Sequence, residues 1–330
     1  MKHLASALIL SVVGALPGCS SAEAPVGPPL LAVERTIPLS NVSGRIDHLA
    51  VDLRHRRIFV AELGNGMVEA IDLDSGRSRR IQDLKEPQGL AFLADRGELV
   101  VASGGDGSVR FYDADSLALR ATVSLGGDAD NARVDPVSGM VAIGYGSGAI
   151  AFIDPVRHAV VRTIVLPAHP EGFQLDPQAG RVFVNLPDAH AIAFADRTTG
   201  SIAKRLPGSH ALNFPLAFDA PSRTVAVVYR WPARLALLDS ETGGVRQDMA
   251  TCGDSDDLFF DSQRRRLYVV CGSGAVDVFE RRGEGYEHVS RVATREGART
   301  GLFVPELDRL IVAARAQGKA GAALLILRPT

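Results

Sequence analysis

The sequence is poor in cysteine and tryptophan and has no block of one charge. Three cysteines in 330 residues are too few to hold a fold of this size together, so a disulfide-stapled scaffold is excluded. Lys and Arg number 36 against 38 Asp and Glu, which gives a net charge of −2. Because non-specific nucleic-acid binding needs a cationic face that displaces counterions, we expect no nucleic-acid partner.

Familiar catalytic motifs are missing as well. The sequence contains no C-x-x-C-H, so covalently bound c-type haem is not expected. It contains no G-x-S-x-G, so the nucleophile elbow of a serine hydrolase is not expected either. Its eight histidines are scattered rather than clustered, so a copper centre held by histidines is not expected. The residues therefore predict an architecture more clearly than a chemistry.

The N-terminus is typical of an exported protein. A charged start precedes an apolar run at 4–16, which as a helix would rise about 20 Å and is too short to cross a bilayer. The tetrapeptide L-P-G-C that ends at Cys19 resembles the bacterial lipobox, in which the cysteine is lipidated and becomes the mature N-terminus. We therefore predict a signal peptide at 1–18 and a lipidated Cys19 with a flexible tether at 19–30. The protein would then be periplasmic and held at the membrane by its lipid; plain signal cleavage is the alternative.

The rest of the chain repeats one unit about every 41 residues. An acidic residue closes a strand-like run in successive units, at spacings of 41, 41, 42, 43 and 41 residues: Asp72, Asp113, Asp154, Asp196, Asp239 and Glu280. A second set of acids ends an apolar run and opens a turn: Asp52, Asp135, Asp176, Asp219 and Asp261. Units of short β-rich runs, with Gly- or Asp-rich turns and no helical period, are typical of four-stranded propeller blades. Recurrence at turns predicts a structural role for both sets of acids.

Seven such units predict an all-β fold, a seven-bladed β-propeller with four antiparallel strands per blade, over 31–330. The last unit has room for only three strands, whereas the segment RTIPL at 35–39 nearly repeats the outer-strand sequence RTIVL at 162–166. We therefore expect the N-terminal strand to complete the last blade and close the ring, which also covers a sheet edge. Since a closed ring has no edge that requires a partner, we expect a monomer.

The repeats resemble those of the YVTN-type seven-bladed propellers, the family that includes periplasmic YncE-like proteins. The resemblance covers essentially the whole mature chain and rests on segments such as RIDHLAVD (45–52), RIFVAELGNGMVEAIDL (57–73), EPQGLAF (86–92) and RTGLFVPELDRLIVA (299–313). It implies the fold but not the function, because propellers host binding proteins, lactonases, hydrolases and redox enzymes alike. The single tryptophan argues against the quinone-dependent dehydrogenase propellers, which use repeated tryptophans.

The starts of the inner strands are expected to meet at one opening of the ring, here called the mouth, on the face here called the top. The first ring of positions is Asp47, Gln88, Asp130, Glu171, Phe214, Asp256 and Thr300, and the next is His48, Gly89, Asn131, Gly172, Pro215, Asp257 and Gly301. Converging carboxylates repel unless a cation, a shared proton or water separates them. Two explanations stay open. Either Asn131, Glu171 and Asp256 hold a divalent cation such as Ca²⁺ or Mg²⁺, or the mouth is filled with water.

Two further features belong to the top. The top loop of the fifth unit carries Arg230 and Trp231, which could stack on an anionic or ring-bearing ligand or could cover the neighbouring blade. Cys252 and Cys271 both fall in the sixth unit. In an oxidising compartment they could form a disulfide, and the alternative is two separately buried thiols.

Two functions remain open for the protein. The first is a non-catalytic scaffold that binds a small ligand or a protein at the mouth, through Gln88, Asn131, Glu171, Asp256, Asp257, Arg230 and Trp231. The second is a metal-assisted lactonase or related hydrolase, similar to the gluconolactonase-type propellers. Its residues would be Asn131, Glu171 and Asp256 as metal ligands, Asp47 or Asp130 as base, and His48 or Arg299 to orient the substrate. The lack of a recognisable catalytic triad favours the scaffold, and no cofactor other than the divalent cation is implied.

Overall fold

The computed structural model describes residues 29–330, which form a ring of seven antiparallel sheets. Each sheet has four strands, so the predicted all-β, seven-bladed propeller is confirmed. The predicted signal peptide, Cys19 and most of the tether lie outside the described residues. No helix in 29–330 is long and apolar enough to cross a membrane.

The blades follow one another along the chain, each from its inner to its outer strand. The first strand, β1 (Leu31–Pro38), belongs to the last blade. Blades 1 and 2 are β2 (Leu49–Asp52), β3 (Arg57–Glu62), β4 (Met67–Asp72) and β5 (Ser78–Ile81), then β6 (Pro87–Leu93), β7 (Glu98–Ser103), β8 (Ser108–Asp113) and β9 (Leu119–Ser124). Blades 3 and 4 are β10 (Ala129–Val134), β11 (Val141–Tyr145), β12 (Ala149–Asp154) and β13 (Ala159–Val165), then β14 (Phe173–Asp176), β15 (Arg181–Leu186), β16 (Ala191–Asp196) and β17 (Ile202–Pro207).

The remaining blades have the same order. Blades 5 and 6 are β18 (Ala211–Asp219), β19 (Thr224–Trp231), β20 (Ala233–Asp239) and β21 (Val245–Ala250), then β22 (Ser255–Asp261), β23 (Arg266–Cys271), β24 (Ser273–Arg282) and β25 (Gly285–Glu296). Blade 7 is β26 (Thr300–Val304), β27 (Arg309–Ala314), β28 (Ala323–Pro329) and β1. Single 3₁₀ turns occur at Leu63–Asn65, Pro187–Ala189 and Pro305–Leu307.

Each blade is packed between two others, and this explains why its middle strands are apolar along their whole length. In β7, Leu99 packs in one cluster with Phe59 of blade 1. The next residue, Val100, packs in another cluster with Ile143 of blade 3. Because successive side chains of a strand point to opposite faces and both faces are covered here, the sequence shows continuous apolar runs instead of alternation.

Blade 7 is built from both ends of the described chain, as predicted. Strand β1 pairs antiparallel with β28, where Ile37 lies opposite Leu324. The Leu39 N–H continues the ladder by donating to the Ala322 carbonyl at 2.8 Å. Ile37 also packs in one apolar cluster with Ile58 of blade 1. The ring is therefore closed by backbone hydrogen bonds and by side-chain packing.

The turns at the face opposite the mouth, here called the bottom, carry the repeated acids. Asp72 Oδ1 accepts a hydrogen bond from the Ser75 N–H at 2.6 Å. The buried Asp176 accepts the N–H groups of Gln178 and Ala179, both at 3.0 Å. These acids therefore have the structural role that their recurrence predicts.

The described chain begins at the bottom of the ring. Strand β1 starts beside the end of β28, where Leu31 lies opposite Pro329. The Thr330 hydroxyl donates to the Pro29 carbonyl at 3.0 Å. As the third strand of its blade, β28 ends at the bottom, in the same way as β4 ends at Asp72. The N-terminal end of the described chain is thus on the face opposite the mouth.

Candidate functional site

β-Bulges at the top of the inner strands bring two successive side chains of one strand to the mouth. In β10 the register with β11 shifts over 129–132, and the same kind of shift occurs at the start of β22. A regular strand would point neighbouring residues to opposite faces. Because of the shifts, Asp130 and Asn131 line one cavity together, and so do Asp256 and Asp257.

Glycines of the second ring let neighbouring inner strands approach closely. A Cβ on Gly89 would collide with the Asp130 carbonyl, and a Cβ on Gly172 would lie 2.5 Å from the Phe214 carbonyl. The Gly172 N–H instead donates to the Phe214 carbonyl at 3.0 Å, which joins blade 4 to blade 5. These glycines are therefore structural, and they hold the polar residues beside them in place.

The mouth is an outer cup of about 490 Å³ that leads to a deeper cavity of about 50 Å³. Four residues of the first ring line both spaces: Asp130, Glu171, Phe214 and Asp256. The deeper cavity also has Asp47, His48, Asn131 and Asp257 in its wall, and the outer cup also has Gln88, Arg230 and Arg299. Most of the predicted mouth residues, which are far apart in sequence, therefore meet in one place.

His48 lies among three carboxylates. Its Nε2 atom is 3.7 Å from Asp47 Oδ1 and 3.9 Å from Asp130 Oδ1. Its Nδ1 atom is 4.0 Å from Asp257 Oδ1, while Asp257 Oδ2 accepts the Gly301 N–H at 2.8 Å. Burial lowers the pKa of His48, but the three carboxylates together raise that pKa above its ordinary value. Burial also raises the pKa of Asp257 to about 7, against the opposing effect of His48.

Asp130 is a buried carboxyl without a hydrogen bond to one of its oxygens. Only 8% of the residue is exposed, and Oδ1 has no hydrogen-bond partner among residues 29–330. Burial and then the charge of Asp47 raise the pKa of Asp130 to about 6. Burial and then the charge of Asp130 raise the pKa of Glu171 to about 7. Buried polar groups are nearly always satisfied in folded proteins, so this oxygen, at an open cavity, is available to a donor that enters the mouth.

Arginines neutralise the acids on the other side of the mouth. Asp256 pairs with Arg230 and with Arg299 Nε, the latter at 2.7 Å. Arg299 also contacts Asp254 at 3.1 Å. The Arg230 guanidinium lies over the ring of Phe214, 3.8 Å from its centroid. Arg230, Asp254, Asp256 and Arg299 are here called the arginine cluster.

Several charged residues of the mouth were not predicted from the sequence: Arg45, Glu86, Asp128, Arg133, His169 and Asp188. Arg45 donates to Asp47 at 2.8 Å, and Arg133 donates to the Asn131 amide oxygen at 3.4 Å. Each of these arginines is two positions from the predicted residue that it contacts. The two-residue period of extended chain was therefore a signal that could have found them.

Trp231 lines neither cavity of the mouth. Arg230 and Trp231 are neighbours in β19, so their side chains point to opposite sides. Arg230 lines the outer cup, whereas Trp231 is 74% exposed and lines neither cavity. The aromatic face at the mouth is that of Phe214 instead. Thr300, another ring position, is buried and also lines neither cavity.

Two of the three residues suggested as metal ligands already have other partners. Asp256 belongs to the arginine cluster, and the Asn131 amide oxygen accepts from Arg133. Within 29–330, no group of three or more His, Cys, Asp or Glu side chains is arranged to hold a metal ion. A Ca²⁺ ion takes six to eight oxygen ligands, and Mg²⁺ needs near-octahedral oxygen geometry. The mouth is thus a mixed-charge surface, with carboxyls on one side and ion pairs on the other.

Cys252 and Cys271 form a disulfide in blade 6, with their Cα atoms 5.8 Å apart. Of the two alternatives that the sequence left open, the structure has the bonded one. The Cys252 N–H also donates to the buried Asp277 carboxylate at 2.8 Å. Cys252 precedes Asp254 by two positions, so the disulfide anchors the segment that carries the acids of the arginine cluster.

No family model and no curated protein sequence matches this chain. Solved structures match its fold. A chain in the crystal structure of the mitotic checkpoint complex superposes with a TM-score of 0.77 at 16% sequence identity, over 97% of this chain and 99% of that chain. A chain of the hydrazine synthase of Kuenenia stuttgartiensis superposes with a TM-score of 0.73 at 15% identity, over 83% of this chain and 94% of that chain. Likeness at such low identity shows the propeller fold alone.

Proposed function

We propose that the protein is an exported, lipid-anchored propeller of the YVTN or YncE-like kind that binds a ligand at its mouth without chemical turnover. The ligand is a small molecule or an exposed segment of a protein. Among the structural neighbours, the chain from the mitotic checkpoint complex is itself a component of a protein assembly. This supports a binding role for the fold in general, and the site supports it for this chain.

The observation that carries the proposal is a buried carboxyl at the mouth, that of Asp130, which the turns and arginine pairs of the described fold do not use. At the bottom, a carboxylate such as that of Asp176 is held by turn N–H groups and by Arg181. At the mouth, the buried Asp130 Oδ1 has no such partner among the described residues. A concave cup with a few convergent polar groups is the usual form of a ligand site. The cup of about 490 Å³ has room for a small ligand or for one inserted side chain.

The proposed anchor and the mouth are compatible in geometry. The described chain begins at the bottom, where Pro29 accepts the hydrogen bond of Thr330. A tether from Cys19 to Pro29 would reach about 35 Å when fully extended. The mouth would then face away from the membrane, where it is accessible to soluble or cell-wall-bound ligands in the periplasm.

The test is a thermal-shift screen of the purified full-length protein against cationic, anionic and neutral compounds, with two matched variants. Asp188 and Glu306 are both exposed acids that follow a proline in a 3₁₀ turn, one at the mouth and one at the bottom. Asp188→Trp should fill the cup and abolish any shift that a ligand gives, whereas Glu306→Trp should preserve it. If no compound shifts the wild type, or if Asp188→Trp keeps the shift, the proposal is wrong.

The metal-assisted hydrolase stays a second candidate because one observation favours it. Burial raises the pKa of Asp130, one of the two suggested bases, to about 6, which suits a general base near neutral pH, and Asp130 lines both cavities of the mouth. A panel of lactones and esters should be assayed with Ca²⁺, Mg²⁺, Mn²⁺ or Zn²⁺ added. Hydrolysis above background that is lost in both Glu171→Gln and Asp256→Asn would replace the scaffold by the enzyme.

A further inference from the structure

We infer that the group bound at the mouth is a protonated primary amine at the end of an alkyl chain. The inference rests on the proposed function, since it names the ligand class of the same site. Such an ammonium group occurs in free alkyl amines and in lysine side chains of polypeptides, and the experiment below separates these two sources.

The charge pattern of the mouth is the first observation that favours an amine. The arginine cluster pairs Arg230 and Arg299 with Asp254 and Asp256, so these arginines are not free to receive an anionic ligand. Arg45 is likewise occupied by Asp47. On the opposite side, Asp130 and Glu171 line both cavities. Arg133 also lines the deeper cavity, where its guanidinium donates to the Ala132 carbonyl and the Asn131 amide oxygen. These contacts favour a cation as the incoming group.

The second observation is that Asp130 Oδ1 is a buried acceptor to which no group of the described chain donates a hydrogen bond. Its buried Oδ1 lies 3.9 Å from His48 Nε2, which is beyond hydrogen-bond distance, and has no other partner among residues 29–330. An unsatisfied buried acceptor costs about 1–3 kcal/mol, and more when it is charged. A ligand that supplies N–H donors would remove this cost. An ammonium group has three donors and no acceptor, so it can bond Asp130 and Glu171 together.

The third observation is that the size and shape of the deeper cavity suit an alkylammonium group. The deeper cavity, at about 50 Å³, has room for an ammonium group or a few water molecules. Its wall is polar in part, with Asn131, Arg133 and Gln174 beside the carboxyls, and has an apolar part formed by Phe214, Pro215 and Leu216. An alkyl chain can pack along this wall while its ammonium group contacts the carboxyls. A bare divalent cation would gain nothing from the apolar wall and would lack a full oxygen shell.

The test is isothermal titration calorimetry of the full-length protein at pH 7.5 with four probes. Cadaverine is a free amine, Nα-acetyl-lysine methylamide mimics a lysine in a polypeptide, 1-pentanol is a chain without charge, and CaCl₂ is a metal. We expect at least one amine to bind, and 1-pentanol and Ca²⁺ not to bind. Preference for the acetyl-lysine probe would indicate a polypeptide ligand, and preference for cadaverine a free amine.

Three variants complete the test. Asp130→Asn and Glu171→Gln keep the shape of the mouth, and each should weaken amine binding at least tenfold. Glu306→Gln, which removes a charge at the bottom, should leave the affinity unchanged. Circular dichroism of each variant checks that it is folded. If both amines fail to bind while another compound of the thermal-shift panel does, this inference is wrong and the proposed function stands. If nothing in either experiment binds, both are wrong.

Discussion

The top and bottom of this propeller use the same residue types in opposite ways. At the bottom, the buried Asp52 accepts from Arg57 at 2.7 Å, from the His55 ring at 2.8 Å and from the His55 N–H at 3.2 Å. These hydrogen bonds outweigh burial and lower the pKa of Asp52 below its ordinary value. At the mouth, Asp130 is about as buried, but its Oδ1 has no hydrogen-bond partner within 29–330, and its pKa is raised to about 6.

This difference separates acids that build the fold from acids that are available to a ligand. The bottom acids recur from blade to blade because every blade needs the same turn. The mouth residues differ between blades: the first ring holds Asp, Gln, Glu, Phe and Thr at equivalent positions. A position that varies among structurally equivalent repeats is free to serve another purpose. The predictions below test that separation.

The largest expected effect comes from one substitution made at each end of the ring. Asp52→Asn removes the charge that holds Arg57 and His55, so the free energy of unfolding at pH 7.5 should fall by about 3–4 kcal/mol. Asp130→Asn removes a charge without a hydrogen bond at Oδ1, so stability should change by less than about 0.5 kcal/mol or should increase. Urea denaturation followed by circular dichroism measures both. Equal losses for the two variants would mean that the mouth acid is structural as well.

The fold could be predicted almost completely because the same sequence pattern recurs in successive blades. The spacing of Asp72, Asp113 and the later acids gives the blade length, and the likeness of 35–39 to 162–166 gives the ring closure. Once the blades are in register, equivalent positions must meet at the same end of the ring. This is why the sequence alone predicts that Asp47, Asp130 and Glu171 converge at the mouth, as they do in the structure.

The contacts inside the mouth could not be predicted in the same way. Register places the Cα atoms, but the end of an arginine side chain is several rotatable bonds away and can reach different partners. The pairing of Asp256 with Arg230 and Arg299, and the packing of Arg230 on Phe214, depend on those rotamers. Trp231 lines neither cavity, because a position near the top of a blade does not by itself tell which way a side chain points.

The disulfide should support the top without touching the ligand. Replacing both Cys252 and Cys271 by Ser removes a cross-link between residues 19 positions apart, which should lower stability by about 2–3 kcal/mol. Asp130 and Glu171 belong to blades 3 and 4, so amine binding should stay within about twofold of wild type. Urea denaturation and calorimetry of the double variant measure the two effects. Reduced wild-type protein should behave in the same way, and a loss of binding would show that blade 6 carries ligand contacts.

A second buried acid, whose neighbour is another carboxyl, gives a comparison with Asp130. Glu62 in blade 1 is fully buried beside Glu69 and lines neither mouth cavity. Burial, and then the hydrogen bond and the charge of Glu69, raise the pKa of Glu62 to about 9. In the folded state Glu62 therefore keeps its proton up to about pH 9, whereas in the unfolded state it loses the proton above about pH 4.5. The contribution of Glu62 to the free energy of unfolding consequently falls as pH rises between about 4.5 and 9.

Glu62→Gln should remove that pH dependence. The variant should be more stable than wild type by about 1–2 kcal/mol at pH 8.5 and nearly equal to it at pH 5, with unchanged amine binding. The matched control is Glu98→Gln. Glu98 is equally buried but pairs with Arg96 at 2.7 Å and Arg120 at 2.8 Å, so this variant should lose stability at both pH values. Denaturation curves at the two pH values check this, and a Glu62→Gln variant that is destabilised at pH 8.5 would contradict it.

The smallest effect expected is the pH dependence of amine binding, and its sign follows from the groups that face the mouth. The pKa values of Asp130 and Glu171 are raised to about 6 and about 7, so at pH 6 Glu171 is mostly protonated and cannot pair with an ammonium group. His48, whose pKa is also raised, loses its positive charge as pH increases. The other charged groups that face the mouth are Arg45, Asp47, Glu86, Asp128, Arg133, His169, Asp188, Arg230, Asp256, Asp257 and Arg299. The arginines stay charged throughout this range, and the pKa of Asp257 is also raised to about 7.

As pH rises, the carboxyls lose protons and His48 loses its positive charge, and both changes favour binding of a cation. The affinity for cadaverine should therefore rise by less than about tenfold from pH 6 to pH 8 and then level off. Calorimetry in buffers of different ionisation enthalpy at pH 6.5 should also detect proton release on binding. Glu171→Gln should flatten part of the profile, because Glu171 and Asp257 are the two mouth carboxyls whose pKa values are raised to about 7. A profile that falls with pH would mean that the protonated carboxyls, acting as neutral donors, bind the ligand, and the mouth would then be a site for an acceptor rather than for an amine.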